Sequence, residues 1–107
     1  MSQHLFSTQC NGKAVVVLMG WDRPLQGFFL VIEEEDDEAD EYVYSNMEDP
    51  ALIRWMGLPP TIDPFLTKLR ELGITIPARM IEEIRADSLA NVGNRHVVYD
   101  ESGEITS

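Results

Sequence analysis

The chain has 107 residues, a formal charge of −11 and a hydrophobic fraction of 44%. That length suits one domain, 1–107, which can bury about two thirds of its unfolded surface without a metal or disulfide to hold it. A single cysteine, Cys10, excludes an internal disulfide and points to a reducing compartment. Met1-Ser2-Gln3-His4 lacks the pattern of a signal peptide, and no apolar run approaches the roughly 18 residues of a membrane span, so a cytoplasmic location is expected.

The charge is unevenly spread. Residues 1–60 carry eleven acidic and three basic groups, residues 61–95 five of each, and residues 96–107 three acidic groups, giving −8, 0 and −3. Such a chain is repelled by a phosphate backbone unless its bases form a stripe, and its eight bases are scattered. Neither direct nucleic-acid binding nor docking on anionic lipid is expected.

His4 to Cys10 has modest strand character, and Asn11-Gly12 is a strong two-residue hairpin signal, because both residues tolerate positive φ. Lys13 to Trp21 and Gly27 to Glu33 read as the next two strands, joined through Asp22-Arg23-Pro24. The run Val15 to Met19 places apolar groups on both sides of its strand, whereas a half-wet strand alternates. Both sides of this central hairpin are therefore expected to be covered, one by helices and the other by further chain or a second subunit.

Residues 33–41 contain eight carboxylates whose repulsion opposes regular packing, which predicts an acidic mobile loop. Tyr42-Val43-Tyr44 returns as a short strand and Ser45-Asn46 ends it. Helices follow, each announced by a proline. Asp49-Pro50 opens a short one ending at Gly57, Asp63-Pro64 a second ending at Gly73, and Pro77 a third that frays near Ala86 to Leu89. His96 to Tyr99 reads as a last strand on either sheet edge, and residues 101–107 as a disordered polar tail. The order β-β-β-β-α-α-α-β predicts an α+β fold, with two to three helices packed on one face of an antiparallel sheet of four to five strands.

Chemical motifs are sparse. Cys10 with His4 or His96 is the sole thiol and imidazole combination, and nucleophilic use requires hydrogen-bond reach between them. The default reading is a small buried thiol and two surface imidazoles. One cysteine and two distant histidines offer no metal-ligand spacing, and the carboxylate run lacks the alternation, central Gly and distal Glu of an EF-hand. Single glycines form no phosphate cradle, so no cofactor is expected.

The residues best suited to meet a partner are the acidic run, Glu33, Glu34, Glu35, Asp36, Asp37, Glu38, Asp40 and Glu41, together with Trp21 and Asp22 at the hairpin end and Trp55 near the end of a short helix. Three functions are compatible with this sequence. The leading one is a small protein-interaction or regulatory module without catalytic activity, whose partner is a protein with a basic surface or a second copy in a homodimer. An acidic decoy that blocks a nucleic-acid-binding protein is the alternative, and a small enzyme using Cys10 or a histidine is the weakest.

Overall fold

The computed structural model describes residues 1–35 and 42–106. Five strands, β1 (Ser2–Cys10), β2 (Lys13–Asp22), β3 (Gly27–Glu34), β4 (Tyr42–Ser45) and β5 (Arg95–Tyr99), form one sheet in the order β4-β3-β2-β1-β5. Two 3-10 helices, Asn46–Glu48 and Pro50–Trp55, and two α-helices, α1 (Asp63–Glu71) and α2 (Ala78–Ala90), lie between β4 and β5. The α+β class and the element order follow the sequence. None of the described helices is long and apolar enough to cross a membrane.

The sheet is mixed rather than purely antiparallel. Neighbours β1 to β4 are antiparallel, whereas β5 joins the free edge of β1 in parallel, with Ser2 opposite Arg95 and Phe6 opposite Tyr99. Parallel pairing needs a long crossover, and the helical half of the chain supplies it. At the β1–β2 turn, Asn11 and Gly12 both adopt positive φ, 54° and 80°, as a primed hairpin turn demands. At the head of β3, a Cβ on Gly27 would overlap the Leu58 carbonyl, so a glycine lets the 58–59 segment lie against the strand, where Pro59 accepts the Phe28 N–H at 2.9 Å.

The core occupies one side of the sheet. Val15, Val17 and Met19 from β2 and Leu30 and Ile32 from β3 are buried, each set spaced by two residues, against Phe65 and Leu69 of α1 and Met80 and Ile84 of α2. The intervening residues face the opposite side. There Val98, Leu5, Leu18 and Val31 stand opposite one another across β5, β1, β2 and β3, half-buried and outside the core cluster. The helices thus pack on one side of the hairpin, as expected, and no described helix covers the other.

Local boundaries shift for identifiable reasons. Glu33 and Glu34 remain in β3, paired with Val16 and Val15, so these two belong to the sheet and not to a mobile loop, and the Glu35 N–H at the turn that follows still reaches the Ala14 carbonyl at 2.9 Å. The rest of that run, 36–41, lies outside the described residues. Asp63 is the first residue of α1 and Ile62 its cap, while α2 does not fray at Ala86 but continues to Ala90 and ends on Asn91 in the left-handed conformation. The segment after β5 is folded back rather than disordered. Ile105 bridges Tyr99, the Thr106 N–H reaches the Val98 carbonyl at 2.8 Å, and the Asp100 carboxylate accepts from the N–H groups of Ser102 and Glu104.

Candidate functional site

Among the described residues, a buried group of hydrogen-bonded ionisable side chains lies beneath α2. Ser2, His4 and Phe6 alternate inward along β1, and Asp87 extends the buried stripe of α2 that Met80 and Ile84 begin. His4 is 0% exposed and Asp87 1%. His4 Nε2 lies 2.6 Å from Asp87 Oδ2 and Nδ1 lies 2.8 Å from the Tyr99 hydroxyl oxygen. A carboxylate only accepts, so Nε2 carries the hydrogen, and in the neutral ring Nδ1 accepts from the tyrosine. Arg95 completes the group, donating at 2.6 Å to Asp87 Oδ1 and at 2.6 Å to Glu83.

Burial lowers the His4 pKa more than the Asp87 carboxylate raises it, which favours the neutral imidazole. Burial alone would raise the Asp87 pKa, but hydrogen bonds from His4, Arg95 and Ser2 outweigh it and hold that carboxyl below its ordinary range. Tyr99 is pushed up to about 12, chiefly by burial, and keeps its proton. Among the described residues every buried side-chain nitrogen and oxygen has a hydrogen-bond partner. With both ring nitrogens engaged and no exposed surface, His4 has no free atom with which to exchange a proton with a substrate.

His4 is therefore not a surface imidazole, whereas His96 is exposed. The β1–β5 pairing does set His96 beside Gln3, yet Cys10 sits six residues along β1 from His4, about 20 Å at strand spacing. The buried thiol points to the Leu72 carbonyl at 3.6 Å. The sheet separates the only thiol from both imidazoles. Among the described residues no three His, Cys, Asp or Glu side chains are placed to hold a metal ion.

Two residues expected at a partner surface lie inside. Trp21 is buried, stacked edge-on against Phe28 at 5.0 Å, with Nε1–H donating to Asn91 at 3.3 Å. Asp22 is buried at the turn and accepts the Leu25 N–H at 3.1 Å, which makes it a turn residue. Trp55 is half-buried against the core, with the Arg54 guanidinium 4.0 Å above its ring. Glu33 and Glu35 are exposed, and Glu34 pairs with Lys13 at 3.4 Å. Asp36, Asp37, Glu38, Asp40 and Glu41 lie outside the described residues.

Surfaces open to a ligand or partner among the described residues include three with exposed or half-buried apolar side chains. One is the helix-free side of the sheet, with its apolar row. A second is an open cleft of about 310 Å³ between residues 60–63 and α2, floored by Phe28 and Ile62 and crossed by the Arg85–Asp63 pair at 3.5 Å. The third is the corner made by the two 3-10 helices, where Met47, Ile53 and Met56 are exposed. No protein-family model, curated protein or solved structure matches the chain.

Proposed function

We propose that this chain is a protein-interaction module without catalysis of its own and that its partner presents a basic surface. The supporting observation is the row Val98–Leu5–Leu18–Val31 on the helix-free side of the sheet. It crosses four strands, about 14 Å at ordinary strand separation, and forms an apolar strip on a face that none of the described helices covers. Glu33 stands two residues beyond Val31 on the same face and is exposed, so the strip has a carboxylate at its margin. Stacking two such faces brings together two chains that each carry −11, whereas a basic partner turns that charge into attraction. A heterologous basic partner is therefore favoured over a homodimer. The sealed state of His4 and the distance to Cys10 support a binding role over an enzymatic one, and a free buried thiol suits a reducing cytoplasmic setting.

The test is a photo-cross-linking residue at Leu18, read in cells and followed by sedimentation of the purified chain. The expected adduct is a different protein of isoelectric point above about 9, whose recapture weakens as salt rises. An adduct with a second copy of this chain, with sedimentation as a dimer, would replace the basic partner with self-association. Absence of any adduct at Leu18 would remove this face from the proposal.

A further inference from the structure

We infer that the basic partner covers the helix-free side of the sheet with a single amphipathic α-helix, laid across the strands and carrying lysine or arginine side chains along one flank only. The inference deepens the basic-partner reading above and rests on it. Outward side chains on that face stand in rows that run across the strands. The row Val98–Leu5–Leu18–Val31 is apolar throughout, whereas β1 presents Gln3, Leu5, Ser7 and Gln9 along its own length and β3 passes from Val31 to Glu33. On β2 the apolar surface continues lengthwise through Val16, but there Ser7 stands on one side and Glu33 on the other, and a helix about 10 Å across would press on both.

The spacing of the row suits a helix. Neighbouring strands lie about 4.8 Å apart and one helical turn advances about 5.4 Å, so contacts made once per turn drift by only about 2 Å over the whole row. Side chains on one side of an extended segment recur about every 6.7 Å and would overshoot the same row by about 6 Å, more than one strand separation. A helix laid this way needs an apolar stripe of the ordinary i, i+4 kind and polar shoulders on both sides of it.

Charge decides which shoulder is basic. Glu33 is exposed in the row next to the apolar one, opposite Val16. Beyond it, at the same end of the sheet, exposed Glu35 and Glu101 line one open cleft of about 470 Å³ together with Ser7, Gln9 and Ala14. The other flank of the row carries Gln3 and His96, and the carboxylate at that end, Asp22, is buried in its turn on the Leu25 N–H. The eight bases do not offset the carboxylate flank. Lys13 is paired with Glu34, Lys68 with Glu71, Arg79 with Glu104, Arg85 with Asp63 and Arg95 with Asp87. Arg54 lies over Trp55, Arg70 belongs to α1 on the other side of the sheet, and Arg23 rests against Gly93 at the far end, where the Met1 ammonium also donates to Asn94. The face is therefore acidic along one margin and neutral along the other, which a helix basic on one shoulder complements.

The probes are two display libraries panned against the full chain, one of helices held on a folded scaffold with their exposed positions randomised, the other of linear random peptides. The helical library is expected to yield binders with an apolar stripe and Lys or Arg on one side of it. Their affinity is expected to fall about tenfold on Leu18→Lys, on the milder Val98→Ser and on the pair Glu33→Lys with Glu101→Lys, and by less than about threefold on Gln3→Lys on the neutral flank. The glutamate variants are expected to keep the parent's unfolding midpoint, because both side chains are exposed. Basic binders that need Leu18 but arise from the linear library alone would overturn the helix while preserving the basic-partner reading. Helices that lose as much on Gln3→Lys as on the glutamate pair would overturn the one-sided charge and preserve the same reading. Binders without basic residues, binders indifferent to Leu18→Lys and Val98→Ser, or no enrichment from either library would overturn both.

Discussion

His4 and Asp87, 83 positions apart in the chain, meet at 2.6 Å inside the core and join β1 to α2. Removing one member leaves a buried hydrogen-bonding group of the other unpaired, which costs about 1–3 kcal/mol. Asp87→Ala is expected to fall in that range in urea unfolding, since it also removes one of the two carboxylates to which Arg95 donates. Asp87→Asn keeps the volume and some of the hydrogen bonds, and is expected to lose less. A loss under about 1 kcal/mol for the alanine variant would show that water replaces the carboxylate.

The same pair sets a pH dependence. The His4 pKa is lowered in the folded chain, so between its folded value and the ordinary 6.5 the unfolded chain binds more protons. Stability there rises with pH and is lost as pH falls below about 6.5 toward the folded value. Asp87 acts in the same direction at more acid pH, because its folded pKa is also lowered: its contribution is present above the ordinary 3.8 and disappears as pH falls through the folded value. Comparing unfolding free energies of parent and His4→Gln from pH 8 to 5 isolates the imidazole. The parent is expected to lose more than the variant, and equal slopes would contradict a neutral buried His4.

Asn46 satisfies one backbone donor and one acceptor that are otherwise buried. Asn46→Ala is expected to destabilise by about 2 kcal/mol, in line with the cost of leaving buried backbone groups unpaired. Hydrogen exchange is expected to accelerate at Leu30 and around Gly57 before it does so in α2.

Met56 gives a prediction of opposite sign. Glycine relieves the left-handed backbone at the expense of some chain entropy, so Met56→Gly is expected to raise stability by about 0.5–1 kcal/mol in chemical denaturation. A variant less stable than the parent would mean that the thioether packs internally.

Much of the fold was legible because strand and helix signals were local. Asn11-Gly12, the Val15–Met19 run and the prolines at the starts of Pro50–Trp55, α1 and α2 mark elements that need only their neighbours to be recognised. The parallel edge strand was not legible, since His96–Tyr99 carries no information about which edge it joins. Trp21 was misplaced because its neighbours are turn residues, whereas its burial depends on Asn91 and Phe28. The polar cluster leaves a trace in the sequence. His4 shares its alternation with Phe6, and Asp87 stands three residues after Ile84 and seven after Met80, which puts a carboxylate on an apolar helical stripe. The exposure of Met47, Ile53 and Met56 was not legible in the sequence, because only the packing of Leu52 and Trp55 decides which side of a short helix turns outward.

The placement of β5 against β1 has a consequence during synthesis. The three hairpin-connected strands can zip together while the ribosome is still making the helices, since their contacts are close in sequence, but the imidazole of His4 has no carboxylate to meet until residue 87 has emerged and no phenol until residue 99. A nascent chain stalled before that point holds a sheet with one raw edge and a polar group facing an unfinished interior, and that intermediate is the species a chaperone would be expected to recognise.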